Sequence, residues 1–318
     1  MSSQRNTPAQ ELIFEKYELI RQIAVGGMGE IYLARQSGVA GFDRLAILKT
    51  LRSKVASDPE VVEDFLDEAR IAATLNHPNI VSIYEVGTWR GVYIIAMEFI
   101  RGAPLSHFLR EEHRKRSHLP YPIAARFIRD AALGLAHAHQ AKNIQGESLN
   151  IIHRDISPQN IMIRDDSVIK VVDFGIAKAV STPLSDITLH TTIGQLVGTL
   201  SYMSPEQAMG EPLDHRSDIF SLGAILYEWV TSARIFTGEN EMAILKEIVD
   251  GHIYRPSYFK DNIPEPVEDI LMRALEKDRE KRYQSAWEMQ YDIDTYLASC
   301  EFTPSNIHLA NFLKQIFE

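Results

Sequence analysis

Cysteine is nearly absent: only Cys300 carries a thiol among 318 residues, so no internal disulfide can form and a reducing compartment fits. Long apolar runs are also missing. The longest candidates, Val92 to Ile100 and Ile219 to Val230, contain Glu98 and Glu228 and fall short of the roughly 18 apolar residues that a membrane span needs. Residues 1–14 lack the apolar core of a signal peptide and read as a flexible lead-in. Positive charge is in deficit, with 33 Lys and Arg against 43 Asp and Glu and a formal net charge of −10. That argues against nucleic acid as a partner, because phosphate backbones are held by clustered Lys and Arg. The run 110–118 does contain Arg114-Lys115-Arg116, but Glu111 and Glu112 adjoin it, so it reads as a solvated loop. Internal repeats and low-complexity segments are absent. With 45% hydrophobic residues, the chain is expected to be a cytoplasmic globular protein.

What is present points to phosphate chemistry. Ile152-His153-Arg154-Asp155-Ile156-Ser157-Pro158-Gln159-Asn160 is followed, thirteen residues after Asn160, by Asp173-Phe174-Gly175. This strand–loop–strand unit sets one proton acceptor, Asp155, beside two oxygen ligands for a hard cation, Asn160 and Asp173. Magnesium favours such oxygen ligands and usually arrives with substrate phosphates, so few protein ligands are needed. Upstream, Tyr17 to Ile23 and Ile31 to Arg35 read as strands joined by Ala24-Val25-Gly26-Gly27-Met28-Gly29-Glu30. A glycine-rich turn between strands can fold over phosphates, since no Cβ blocks the backbone. A dinucleotide-binding loop is excluded, because that motif runs directly into a helix. Lys49 closes the apolar strand Leu45 to Lys49, where a bare ammonium needs an anionic partner. Phosphates could serve, and so could Glu68, on a helix expected from Pro59 to Leu75 that His77-Pro78-Asn79 ends. The plainer alternative for either residue is a solvated surface side chain.

In this order and spacing the motifs resemble those of protein kinases, in particular the bacterial serine/threonine kinases of eukaryotic (Hanks) type, over about Tyr17 to Leu297. The resemblance implies an α+β, two-lobed protein kinase fold. A small, mainly β N-terminal lobe with one main helix would cover 15–99, and a larger, mainly α lobe 100–299. A C-terminal amphipathic helix in 300–318, capped by Ser305, would pack on the large lobe. ATP would lie under a loop from Ile23 to Gly29 (Ile23, Ala24, Val25, Gly26, Gly27, Met28, Gly29), with Ala24 where the family has its first glycine. Ile31 and Ile47 would form the adenine ceiling, Met162 the floor and Met97 the back wall, while Glu98 to Ile100 would supply hinge backbone groups. Ile47 stands where a smaller alanine is common and should narrow the pocket.

By the same resemblance, Lys49 pairs with Glu68 and holds the α- and β-phosphates, Asp155 accepts or orients the substrate hydroxyl, and Asn160 and Asp173 bind Mg2+. Ser157 replaces the family's lysine and supplies no charge to the γ-phosphate. Further on, Glu206 would pair with Arg282 to anchor the substrate-binding loop, Asp218 would brace the catalytic loop, and Thr199 would favour serine or threonine acceptors. Protein substrates follow, with Thr191 or Thr192 as autophosphorylation sites in a hydroxyl-rich segment and a homodimer supporting that reaction in trans. Two other classes stay open. A pseudokinase scaffold would bind partners with little phosphotransfer. A small-molecule kinase would share the Asp155, Asn160 and Asp173 set but generally lack the Ser204-Pro205-Glu206 motif with Arg282. The pair His137 and His139 does not read as a metal site, because residues two apart on a helix point in different directions.

Overall fold

Chain segments rich in β-branched, aromatic and other apolar residues from Tyr17 onward build three successive strands, β1 (Tyr17–Val25), β2 (Gly29–Ser37) and β3 (Asp43–Leu51). The computed structural model describes residues 12–26, 29–38, 41, 43–52, 56, 58–115, 120–174 and 200–317, without the side chains of Glu60, Asp64, Glu68 and residues 315–317. It divides into two compact units, one running up to Thr74 and including Ser82–Phe99, the other comprising Leu75–Val81 and the chain from Ile100 onward.

In the smaller unit, β4 (Ile83–Trp89) and β5 (Val92–Glu98) complete an antiparallel sheet of order β1-β2-β3-β5-β4. Every second residue faces one core: Ala34, Ala46, Leu48, Ile94 and Ala96 pack there with Tyr17 and Ile13. The other face carries two rows in register, Ile31–Lys49–Ile95 and Leu33–Ile47–Met97. Helix α1 (Pro59–Thr74) packs on β4 and buries Phe65, Ala69 and Ala72, a spacing of four and three. Ile13 is only 5% exposed and exchanges backbone hydrogen bonds with Tyr17, so the flexible lead-in expected over 1–14 does not reach Ile13.

The larger unit opens with a three-stranded sheet of β6 (Gly102–Pro104), β7 (Ile161–Arg164) and β8 (Ile169–Val171), in order β6-β7-β8. The helices described in this unit are α2 (Leu105–Lys115), α3 (Tyr121–His139), α4 (Pro205–Met209), α5 (Arg216–Thr231), α6 (Glu241–Asp250), α7 (Glu265–Ala274), α8 (Ala286–Ser299) and α9 (Asn306–Phe317). Helix α5 is apolar nearly all round and packs against α3 and α7, as a helix without a polar face must. Leu75–Val81 joins this unit, although the sequence placed it with the strands. Val81 N–H donates to Val171 O at 3.0 Å, Val171 N–H to Asn79 O at 2.8 Å, and Asn79 Nδ2 to Ile169 O at 2.9 Å. These partners lie some ninety residues downstream, beyond the reach of any local pattern. Helix α9 packs on α2 through Leu309 and Leu313, with Arg126 bonded to Pro304 O and Asn306 Oδ1.

One glycine is fixed by close approach: a Cβ on Gly29 would stand 2.3 Å from Thr50 O in the adjacent strand. Gly29→Ala should therefore destabilise the smaller unit by about 2 kcal/mol or more. Gly91→Ala, where φ is +77° and space is open, should cost only the left-handed backbone strain of about 1–2 kcal/mol. Urea unfolding followed by fluorescence ranks the two, and a Gly29→Ala chain as stable as the parent would contradict the packing.

Candidate active site

The loop from His153 to Asn160 is fixed by a carboxylate from α5. Asp218, 1% exposed, accepts from the backbone N–H groups of His153 and Arg154 at 2.8 Å each, and lies 2.8 Å from His139 Nε2. Burial alone would raise its pKa. The hydrogen bond from His139 and that from the His153 backbone N–H outweigh burial and hold it below 3.8. Arg154 adopts φ +65°, a conformation unfavourable for a side chain with a Cβ. Two bonds hold it there, its N–H to Asp218 and its carbonyl from Gln207 Nε2 at 2.7 Å.

His153 is fully buried, and burial lowers its pKa. Its Nδ1 accepts from Asp155 N–H at 3.3 Å, which assigns the ring proton to Nε2, 3.0 Å from Val172 O. A neutral ring thus ties the segment before Asp155 to the segment before Asp173. Asn160 makes the second tie: its carbonyl accepts from Val172 N–H at 3.0 Å. Its Nδ2 donates to Asp155 O at 2.8 Å and to Asp155 Oδ2 at 3.0 Å. That orientation turns Oδ1 of Asn160 away from Asp155. Asp173, at φ +55°, follows Val172 directly. The loop therefore gathers Asp155, Asn160 and Asp173, as their spacing suggested. An amide oxygen and a carboxylate form an all-oxygen donor set, which suits magnesium. Ser157 is buried and its hydroxyl has no hydrogen-bond partner among the described residues.

In the smaller unit, the β-ladder brings Ile31, Ile47, Lys49 and Met97 onto one face. Ala24 pairs with Ile31, and Gly26 N–H donates to Gly29 O at 2.8 Å, closing the turn. Ile23 and Val25 are exposed at its edge. Gly27 and Met28 lie outside the described residues, as do the side chain of Glu68 on α1, Thr191, Thr192 and Thr199. The Glu98 N–H is committed to Ser82 O at 2.9 Å, and Glu98 Oε2 accepts from Ser82 N–H. Ile100 is buried at the start of the larger unit. Met162 sits on β7 opposite Lys170 and Pro104, half-buried between fully buried Ile161 and Ile163.

A second anchor lies at Glu206. Arg282, fully buried, donates from Nη1 and Nη2 to Glu206 Oε1 and Oε2 at 2.6 and 2.7 Å, and Ser217 Oγ donates to Oε1 at 2.7 Å. Burial pushes the Glu206 pKa up, but the Arg282 bonds and charge and the Ser217 hydroxyl outweigh it, leaving the carboxyl below 4.5. Three features escaped sequence reasoning. Ser204 and Gln207 form a capping box that also reaches Arg154 O. His139 serves Asp218, while His137 stacks on His77 at 5.0 Å. Gly29 answers to Thr50 independently of any ligand. The capping box alone had a local signal, Ser followed three residues on by Gln.

The protein kinase domain family matches residues 17–292. The chain is 41% identical over 301 residues to the tyrosine-protein kinase MasK of Myxococcus xanthus, spanning 95% of this chain and 46% of that protein. It is 35% identical over 283 residues to the serine/threonine-protein kinase PrkC of Bacillus subtilis, spanning 88% and 40%. The chain thus covers less than half the length of these relatives. Among solved structures, the PknI kinase domain of Mycobacterium tuberculosis aligns with a TM-score of 0.64 at 25% identity, over 91% of this chain and 99% of that one.

Glu206→Gln strips the counter-charge from a buried guanidinium and is expected to cost about 3–5 kcal/mol. Because the folded pKa of Glu206 lies below its unfolded value of 4.5, the stabilisation is complete above that value and is lost as pH falls through the folded one. Urea unfolding at pH 7 and pH 3 should show a large gap between parent and variant that narrows in acid. A pH-independent gap, or none at pH 7, would contradict the assignment.

Proposed function

The chain belongs to the protein kinase domain family, and on that premise we propose that it is a serine/threonine kinase that moves the γ-phosphoryl group of ATP to protein hydroxyls. The observation that carries this is the hydrogen-bonded pair of Asp155 and Asn160, with the Asn160 carbonyl tied to the N–H of Val172, the residue directly before Asp173. Asp155 takes the position of the group that orients the acceptor hydroxyl and receives its proton, with Asn160 Nδ2 fixing its carboxylate. Asn160 Oδ1 and the Asp173 carboxylate would hold Mg2+, which when bound neutralises phosphate charge. Lys49, midway across its sheet between Ile31 and Ile95, would anchor the α- and β-phosphates with Glu68 as its ion-pair partner. Ile31, Ile47, Met97 and Met162 would supply apolar contacts to adenine. A scaffold without phosphotransfer is disfavoured because none of these parts is missing from the sequence.

Thr199 and the name of PrkC support a serine or threonine acceptor, whereas the name of MasK puts tyrosine against it. Regulation through phosphate on Thr191 or Thr192 gains support from Arg154, whose buried Nε has no partner among the described residues and suits an added phosphate. A role in cytoplasmic signal transduction, with autophosphorylation in trans between two copies, fits this scheme. Among the described residues no helix is long and apolar enough to cross a membrane.

The purified chain should incorporate label from ATP with magnesium onto Thr191 or Thr192, and Asp155→Asn should abolish it, as mapped by mass spectrometry. Label on tyrosine alone would reassign the acceptor. Nucleotide binding without any transfer would replace the proposal with a scaffold.

A further inference from the structure

Three and four residues beyond Asp155, Pro158 and Gln159 form one wall of a cavity of about 480 Å3. Helix α2, Tyr202, the C-terminal end of α5 and, just beyond it, Ser232 and Arg234 form the rest. The indole of Trp229 lines this cavity, only 4% exposed, and its Nε1–H has no hydrogen-bond partner among the described residues. A buried donor left unpaired is costly unless something outside the chain accepts from it. The ring itself is fixed, stacked on Phe127 at 5.4 Å.

The charges around the cavity are sorted by exposure. Its two carboxylates are withdrawn and already engaged. Glu112 is 6% exposed and has partners within the chain. Glu228 accepts from the Tyr202 hydroxyl and pairs with Arg234 at 3.5 Å. Burial first, then the Glu228 charge, pushes the Tyr202 phenol up, so it remains a donor to Glu228 at neutral pH. The cations are outward: Arg110 and Arg234 are exposed on the lining. Each guanidinium has five N–H donors; among the described residues Arg110 contacts His107, and Arg234 contacts Glu228 and Tyr202, which leaves donors on each for a further acceptor. The cavity therefore offers donors and masks its acceptors.

We propose that this cavity receives an acidic side chain of the protein substrate, flanking the acceptor hydroxyl, through Arg234, Arg110 and the Trp229 indole N–H. The proposal rests on the protein kinase reading above, and it makes the chain selective for acceptors in acidic surroundings. Arg234 has a double part, since it both cancels Glu228 and presents free donors. Its removal should uncover a carboxylate and turn the selectivity toward basic peptides.

Acceptor peptides with Asp on either side of the serine, compared with Asn counterparts, supply the test. The parent chain is expected to phosphorylate the Asp series with kcat/KM about tenfold higher, as one charge-assisted contact would give. Trp229→Phe, which keeps the ring and loses the donor, should shrink that ratio several-fold. Arg234→Ala should abolish it and favour Lys-flanked peptides. Activity on the Asn series tests the kinase reading separately. A binding readout stands apart from turnover: the indole N–H resonance missing in Trp229→Phe should shift on titration with the Asp peptide and not with the Asn peptide. Equal kcat/KM for the two series, or an indole shift that inorganic phosphate produces and the Asp peptide does not, would overturn the proposal.

Discussion

A carboxylate with no access to water holds the catalytic loop in place. Asp218 is committed on both oxygens, to two consecutive backbone N–H groups of the loop and to His139. An uncompensated buried charge costs several kcal/mol, so Asp218 cannot remain in the core unless His153 and Arg154 present their N–H groups. The converse also holds. Arg154 sits in a left-handed conformation that would relax without a strong acceptor. Charge and strained backbone thus enforce each other, and Asp155 inherits its position as the next residue along.

From that point order spreads through short polar links within the larger unit. His153 spans from the loop to Val172, Asn160 closes on Asp155 and Val172, and Gln207 reaches Arg154 O from the capped turn at α4. Glu206, the neighbour of Gln207, is clamped by Arg282 and Ser217. Two buried carboxylates, Asp218 on α5 and Glu206 on α4, therefore grip two segments, one carrying Asp155 and the other Glu206 itself. Such networks are stable only when every member is satisfied, which makes a defect in either anchor a defect in both segments.

Much of this was legible in the sequence because the chemistry is local. Asp155, Asn160 and Asp173 sit in one short unit, and the apolar run Leu45 to Lys49 lies within a strand, while its two faces, Ala46 and Leu48 in the core and Ile47 and Lys49 opposite, are set by pairing with β2 and β5. Glu206 and Arg282, seventy-six residues apart, were paired only by family resemblance. What stayed hidden depends on long-range partners. Leu75–Val81 follows Val171 into the larger unit. His139 faces Asp218, and Glu98 spends its N–H on Ser82. Gly29 resembled a ligand-driven glycine, yet the Thr50 carbonyl alone would exclude a side chain there. The masking of Glu228 by Arg234 and Tyr202 was likewise unreadable from composition.

Amide hydrogen exchange at His153 and Arg154, compared between the parent chain and Asp218→Asn, tests the central anchor most directly. The substitution removes the charge and one of the two carboxylate acceptors while keeping the shape. Protection of these two amides should fall by about tenfold or more, a change on the order of one lost charge-assisted bond. Phosphoryl transfer should fall with it, and protection in β1 to β5 should stay unchanged. Full protection at both amides, with transfer lost or retained, would contradict the account and move the origin of loop order elsewhere.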